Sequence, residues 1–566
     1  MAMRPNQIIE CVPNFSEGRN PEIIKQITDA IAAVSGVSLL DVDPGKATNR
    51  TVVTFVGDPA SVIEGAFQGI KKAASLIDMR HHSGEHPRMG ATDVCPLIPI
   101  SGISMEETVA YAKKLAQRVG EELGIPTFLY EAAASTPTRK NLATIRAGEY
   151  EGLEKKLQDP TWKPDFGPAS FNATAGATVI GARDFLVAYN VNLNTTSVKR
   201  ANSVAFDVRE NGRIKREGDP VTGKIVTDEN GEPIRIPGML KSVKAIGWYI
   251  EEYKIAQVSM NLTNISDTTL HEAFEACRKC ADKRGMRVTG SELVGLVPKK
   301  VMLDAGKFYL HAQGRSIGVS EEEIIHIAIK SLGLDELGPF DPKKKIIEYL
   351  MDDASKNPLV RKTLVEFADE TASESMAPGG GSISAYVGAL GVALGTMVAN
   401  LSAQKHSKGD KLAYFSDLAS KGQQLKDQLL SDVDADTHAF NAIIDAIRMP
   451  KESEQEVELR KKALHAATVG AIEVPLTVMK RALAAYEVVL AMAENGNKSS
   501  VSDAGVGALC LHTAVAGAYL NVKINCKDFD DAAYTSQTLA EAAAIFQQSL
   551  DQSAAIEKIV AEKIGL

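Results

Sequence analysis

The sequence predicts a multidomain chain: two α/β subdomains of the α+β sandwich type, followed by an all-α helical bundle. Three observations predict it. The first 130 or so residues alternate strand-like and helix-like runs, and a second alternation starts near Phe185. From about residue 359 onward the chain is Ala/Leu-rich and helix-periodic. At 566 residues it is also too long for a single core.

Within the first alternation, 7–12 and 37–43 are β-rich, while 21–34 repeats apolar residues at helical spacing. A strand at 51–56 precedes a helix at 61–77, separated by Gly57-Asp58. The amphipathic run 105–123 stops at Gly124-Ile125-Pro126, and 127–130 reads as another strand. The second alternation opens on an apolar strand at 185–192. It continues through 246–250 and 256–262 to a helix at 270–284. Between them, 210–237 is rich in turn signals, and Asn211-Gly212 and Asn230-Gly231 favour tight hairpins, so this segment reads as an inserted β-ribbon. In the last third, 412–432, 453–470, 476–494, 505–525 and 532–564 are helix-periodic, with Pro378 and Pro475 as interruptions. The expected divisions are 1–184 and 185–342 for the two α/β subdomains, a polar linker at 343–360, and the bundle at 361–566.

Composition narrows the function classes. With 63 basic and 72 acidic residues the formal charge is −9, so no global basic field invites nucleic acid. Six cysteines in this length suit a reducing compartment, and the N-terminus carries no apolar signal core, so a cytoplasmic location is expected. Cys277 and Cys280 form a lone C-x-x-C in a helix-like run and read as ordinary helix cysteines rather than zinc ligands. The uncharged run 382–403 contains a G-x-x-x-G at Gly391 and Gly395. Its apolar content is mostly Ala and Gly, with interspersed Ser, Thr and Asn, so it reads as a buried core helix rather than a membrane span.

The densest chemistry lies between Asp78 and Pro99, in D-M-R-H-H-S-G-E-H-P-R-M-G-A-T-D-V-C-P-L-I-P. His81, His82, His86, Glu85, Arg80, Arg88 and Asp93 crowd beside Gly84 and Pro87. A histidine titrating near neutrality can give and take a proton, so the density points to proton transfer. A metal at His82 and His86 requires a helical segment to bring the pair onto one face. Gly84 weakens a helix there and Pro87 biases His86 away from it, so no metal is expected.

This block, with E-C-V-P-N-F-S-E-G from Glu10 and D-V-D…T-N-R-T-V from Asp41, resembles the formimidoyltransferase-cyclodeaminase family of folate enzymes in histidine breakdown. The likeness continues through D-F-G-P-A-S from Asp165, A-I-G-W-Y from Ala245 and V-G-L-V-P from Val294. It resumes at A-P-G-G-G-S from Ala377, V-D-A-D from Val433 and A-Y-L-N-V-K-I-N from Ala518. The resemblance implies transfer of a formimino group from N-formiminoglutamate to tetrahydrofolate, then cyclisation to 5,10-methenyltetrahydrofolate with loss of ammonia. Tetrahydrofolate, polyglutamylated, is then a substrate and one-carbon carrier, and no metal is needed. Two rival readings stay open: a glutamate formyltransferase making 5-formyltetrahydrofolate, and a folate-binding scaffold with one silent domain.

On that resemblance, His86 carries the transfer, with His82, Glu85 and Arg88 as possible support, and Arg80 or Arg88 able to clamp a carboxylate. Folate contact is carried over to Gly167, Pro168, Ala169, Ser170, Phe171, Asn172, Ala173, Thr174, Ala175 and Gly176. A second stretch is Gly238, Met239, Leu240, Lys241, Ser242, Val243, Lys244, Ala245, Ile246 and Gly247, where Lys241 and Lys244 suit a glutamate tail. The cyclising acid matches Asp436. Asp434, two positions earlier on a helix, points about 200° away and cannot share its site. Gly379, Gly380, Gly381 and Ser382 at a helix start, with Asp503, Asn521 and Asn525, are pocket candidates. The Ala/Gly-rich helices suit close packing and self-association, so a homo-oligomer is expected, with no nucleic-acid or membrane partner.

Overall fold

The computed structural model describes residues 7–46, 49–84, 87–218, 223–351, 357–406, 408–527 and 529–565. They form two compact units. One holds the described residues up to Val301 with Gly333–Met351, and the other holds Met302–Leu332 with the described residues after Met351.

The first unit opens with β1 (Ile8–Cys11), β2 (Asn14–Phe15), α1 (Pro21–Ala32), β3 (Val37–Gly45), β4 (Arg50–Gly57) and α2 (Pro59–Leu76). It continues with β5 (Thr92–Ser101), α3 (Met105–Leu123), β6 (Thr127–Glu131), α4 (Leu142–Arg146), α5 (Glu149–Leu157) and β7 (Thr178–Ala182). The helix starts are written in the sequence. Asn20 and Asp58 accept the first free amides of α1 and α2, each with proline at the first helical position. Ser104 and Glu107 form a capping box on α3, and Gly124 closes it in the left-handed region. The sheet runs β1-β4-β2-β5-β7-β6 with β3 on β4, and it is antiparallel except where β7 pairs β5 and β6. Strand alternation sends Ile9, Cys11, Cys95, Leu97 and Ile180 to a core under α1–α3. Val94, Phe128, Tyr130 and Val179 pack on the other face against Ile145, Leu153 and Leu157 of α4 and α5.

Strand β5 lies within the run Asp78–Pro99, where the sequence reading named no strand, and it carries Pro96 and Pro99, residues that disfavour one. The ladder tolerates them: β5 pairs β1 through a register shift, and Pro96 supplies a carbonyl to the Val12 amide.

Glu10, between Ile9 and Cys11, points away from the helical core and is only 4% exposed. Burial pushes its carboxyl up to about 7, against the attraction of Arg183. Below pH 4.5 the group is protonated in folded and unfolded chains alike, so its burial carries no penalty. As pH rises past 7 the folded chain must bury a charge that the unfolded chain bears in water. Glu10→Gln should therefore stabilise the protein on the order of 3 kcal/mol at pH 8 and by almost nothing at pH 4. Thermal unfolding at the two pH values checks this, and an equal effect at both would contradict it.

The second sheet of the unit is built from β8 (Val187–Leu193), α6 (Val198–Val208), the short strands β9 (Arg213–Ile214), β10 (Arg216–Glu217), β11 (Lys224–Ile225) and β12 (Arg235–Ile236), then β13 (Val243–Ile250), β14 (Ile255–Leu262), α7 (Leu270–Asp282) and β15 (Val288–Val294). Its antiparallel order is β13-β14-β8-β15, with α6 packed on β13 and β14 and α7 against β8 and β15. The segment 210–237 does form small ribbons, β9 with β12 and β10 with β11. Cys277 and Cys280 are buried in α7, their sulfurs near those of Met260 and Met239.

Helices α8 (Lys299–Ala312), α9 (Glu321–Leu332), α10 (Pro342–Lys345) and α11 (Ile347–Leu350) lead to the bundle: α12 (Leu364–Ala372), α13 (Gly380–Ala403), α14 (Asp410–Arg448), α15 (Glu454–Asn495), α16 (Val501–Cys526) and α17 (Ala532–Ile564). By length and composition α13 and the segment containing α16 could each cross a membrane, yet α13 is packed against α14, α15 and α16 and contributes Ala385, Ala389, Val392 and Ala399 to their common core. Pro475 does not interrupt the bundle as predicted, because α15 runs straight through it. A proline nitrogen cannot bond the Ala471 carbonyl one turn back. Asn525 of α16 fills the vacancy, its side-chain amide donating to Ala471 O at 2.7 Å. Asn525 is therefore a helix-mending residue rather than the pocket residue expected from sequence.

Candidate active sites

The histidine-rich segment is built around Asn49. Its backbone takes a positive φ of 47°, its side-chain oxygen accepts the Gly18 amide at 3.0 Å, and its side-chain amide donates to Ser83 O at 3.0 Å. One residue thus ties the two N-terminal motifs to the chain leading into His86. His86 and Glu85 themselves lie outside the described residues. His82 does not continue a helix, its backbone being extended (φ −87°, ψ 133°). No group of three or more metal-ligating side chains occurs among the described residues.

Both ring nitrogens of His82 are engaged. Arg88 Nε donates to Nδ1 at 3.3 Å, so the ring proton sits on Nε2 and is donated to the Asn49 carbonyl at 2.9 Å. Burial and the Arg88 charge hold His82 below its ordinary value against the pull of that carbonyl, which keeps the ring neutral. Arg88 is buried and held by Glu149 at 3.0 Å and Glu151 at 2.6 Å. Its guanidinium is committed within the protein, and exposed Arg80 is likewise paired, with half-buried Asp78 at 2.6 Å. Neither arginine is a free carboxylate clamp. Ser83, Gly84, Arg88, Gly148, Glu149 and Glu151 line a recess of about 450 Å³. Asp93 is fully buried, accepting the Met89 amide at 3.0 Å and pairing with Arg146.

The first folate stretch adjoins this recess. Tyr150 of α5 donates its amide to Arg88 O and its hydroxyl to Ala173 O, the latter at 2.6 Å, and lies against the Phe171 ring. Gly167, Pro168, Ala169 and Ser170 are exposed, and Phe171, Asn172 and Ala173 are half-buried, with Thr174 exposed. Ala175 and Gly176 are buried, with main chain bonded to Ala91 and Asn172, and cannot meet a ligand as expected. In the second stretch, Val243, Ala245 and Gly247 point into α6; a Cβ on Gly247 would come within 2.2 Å of the Asn202 nitrogen. Those three are removed from the contact set, as are the main-chain amides of Gly238, Met239 and Leu240, which bond the end of α6 and the residues just after it. Ser242 bonds Asp267. Lys241, Lys244, Ile246 and Met239 present exposed side chains.

The bundle offers a separate site. Gly379 starts α13 with no side-chain cap of its own. Asp436 of α14 supplies one: its Oδ2 accepts the Ser382 amide at 2.9 Å and the Ser382 hydroxyl at 3.2 Å. Oδ1 lies over Gly381, where any Cβ would stand 2.0 Å away, so glycine there is a condition of this geometry. Burial raises the Asp436 carboxyl above the ordinary range, opposed by the two Ser382 bonds. Asn521 of α16 stands beside Gly380. Asp434 points elsewhere, as the helix geometry requires, and accepts the Leu359 and Val360 amides at 2.9 and 3.1 Å. Asp503 lies 18 residues before Asn521 on α16, about 27 Å away along the helix, and does not belong to this group.

Comparison with known proteins covers both units. Residues 8–183 match the formiminotransferase domain, N-terminal subdomain; 188–352 match the formiminotransferase domain; and 363–544 match formiminotransferase-cyclodeaminase. The mouse (Mus musculus) formimidoyltransferase-cyclodeaminase is 44% identical over 97% of this chain and 98% of its own length. Glutamate formimidoyltransferase of Streptococcus pyogenes serotype M1 is 42% identical over 54% of this chain and 94% of its own. Methenyltetrahydrofolate cyclohydrolase of Methylorubrum extorquens is 30% identical over 36% of this chain and 98% of its own.

Proposed function

The chain belongs to the formimidoyltransferase-cyclodeaminase family, and from that membership we propose how its residues divide two consecutive reactions on one folate. The α/β unit moves the formimino group from N-formiminoglutamate to N5 of tetrahydrofolate. The helical bundle closes the product to 5,10-methenyltetrahydrofolate and expels ammonia. The observation that carries the reading is that the two formiminotransferase models match residues 8–183 and 188–352, while the formiminotransferase-cyclodeaminase model matches 363–544.

In the transfer, N5 attacks the amidine carbon and sheds a proton, and the departing glutamate nitrogen gains one. His82 cannot serve, since both ring nitrogens are occupied. Its place is to hold Arg88 and Asn49, and through them the segment that carries His86, which we assign as the shuttle. In the bundle, N10 attacks the formimino carbon and the amine leaves once protonated. Asp436 is suited to supply that proton because burial raises its carboxyl, while Ser382 holds Oδ2 and leaves Oδ1 for the exchange. Exposed Leu520 and Ile524 on α16 support self-association of the bundle, and the buried free cysteines support a reducing, cytoplasmic setting.

Incubation with tetrahydrofolate and N-formiminoglutamate should yield glutamate, ammonia and the methenyl chromophore in equal amounts. Glutamate release without ammonia would remove the second activity. A finer test is the pH profile of cyclisation. The Ser382 hydroxyl stabilises the charged form of Asp436, so Ser382→Ala moves the carboxyl further up. An acid works only while protonated, so the alkaline limb of the profile should shift to higher pH. A shift to lower pH would contradict the assignment of Asp436.

A further inference from the structure

Among the described residues, the large apolar side chains most open to solvent are Leu364 at 72%, Met376 at 71% and Val365 at 69%. All three stand on one strap, residues 361–379, which contains α12 and leads into α13. Apolar surface gathered on so short a segment marks a contact made only when something else is bound.

Both ends of the strap are fastened to α14, and the fastenings flank the bundle site. Before it, Leu359 and Val360 give their amides to Asp434 at 2.9 and 3.1 Å, with Leu359 buried in the bundle core. After it, Ser382 gives its amide and hydroxyl to Asp436. Between these points the strap is lightly held. Phe367 leans on the Tyr386 ring, centroids 5.4 Å apart, which sets α12 beside the turn of α13 that follows Ser382. Lys362 pairs with Glu370 inside the strap at 3.4 Å, and the Thr363–Glu366 capping box keeps α12 helical from within. No residue of α12 is fully buried, and Gly380 at the mouth of the site is exposed. A preformed helix tethered at both ends can swing without breaking core contacts, as lids do.

The reaction at Asp436 has a use for such a lid, because cyclisation competes with hydrolysis at one carbon. When N10 attacks, the bond from carbon to N10 forms, the bond from carbon to the amine breaks, and the N10 proton leaves with ammonia. When water attacks, its oxygen takes the place of the amine, ammonia leaves in the same way, and 5-formyltetrahydrofolate results. Asp436 protonates the amine on either route, so it does not choose between them. Exclusion of water does.

Resting on the folate reading above, we propose that the strap closes over the folate held at Asp436, and that Leu364, Val365 and Met376 shield the formimino carbon from water. These three side chains then determine which product forms, methenyl rather than formyl.

The test supplies 5-formiminotetrahydrofolate to the full chain and separates the products by chromatography at neutral pH. The three side chains are exposed, so the triple variant Leu364→Ser, Val365→Ser, Met376→Ser costs the fold little. Its ratio of 5-formyl to methenyl product should rise on the order of 10-fold. Leu364→Met with Val365→Ile stays apolar and should keep the wild-type ratio, and transfer should be unchanged in both variants. In the wild type, hydrogen exchange of the 361–377 amides should slow when 5-formyltetrahydrofolate, the oxygen analogue of the intermediate, is added. An unchanged product ratio in the triple variant overturns the proposal while leaving the activity standing. So does exchange that slows with protein concentration rather than with the analogue, the result expected if a second copy covers the strap. A wild-type chain that releases no ammonia from the intermediate overturns the folate reading itself and the proposal with it.

Discussion

Replacing Asp436 by Asn should lower cyclisation by about 10²-fold to 10⁴-fold, the range a positioned general acid contributes, while transfer proceeds at its normal rate. Asparagine keeps the shape and can still accept from the Ser382 amide, so α13 stays capped. It cannot cycle a proton to the leaving amine. Glutamate release should continue while 5-formiminotetrahydrofolate accumulates, followed by chromatography of quenched samples. Asp434→Asn acts differently, because Asp434 holds the Leu359 and Val360 amides rather than facing Asp436. It should lower thermal stability and leave the cyclisation rate of the folded enzyme within a few-fold. Equal catalytic defects in both variants would contradict the separation of their roles.

His86→Ala should remove transfer to a similar degree and leave cyclisation of supplied 5-formiminotetrahydrofolate intact. His82 of the same segment does not stand in for it. His82 is pinned between Arg88 and Asn49, and its ring is held neutral by burial and by that arginine. His82→Gln should differ in kind, loosening Arg88 and the recess beside it and so raising KM more than it lowers kcat. Glutamate release measured for the two variants separates these outcomes. Transfer lost in His82→Gln but retained in His86→Ala would exchange their roles.

Legibility in the sequence followed local chemistry. Helix Met105–Leu123 was found to the residue because a capping box and a left-handed glycine mark its two ends. Long-range compensation was not legible. Pro475 splits a helix by every local rule, and only the packing of α16 shows that Asn525 repairs the carbonyl it frees. The same packing withdrew Asn525 from the pocket, and the length of α16 withdrew Asp503. Strand β5 was not named, because the reading of that run followed its titratable side chains. In the sites, the motif blocks named Asp436, Gly381 and Ser382 separately, without placing them together. They did not reveal Asn49 as the clasp of the histidine segment, nor Glu149 and Glu151 as partners of Arg88. Those depend on chain crossings of about 30 to 60 residues.

The central claim is that one chain holds two independent catalytic sites, His86 in the α/β unit and Asp436 in the bundle, joined by a shared intermediate. Mixing the His86→Ala and Asp436→Asn proteins with tetrahydrofolate and N-formiminoglutamate, and following methenyltetrahydrofolate absorbance, tests it most directly. Each variant alone should form almost none. The mixture should recover methenyl formation after a lag, as 5-formiminotetrahydrofolate made by one protein reaches the bundle of the other. A mixture as inert as its components, while the Asp436→Asn protein still releases glutamate and the His86→Ala protein still cyclises added intermediate, would contradict the claim.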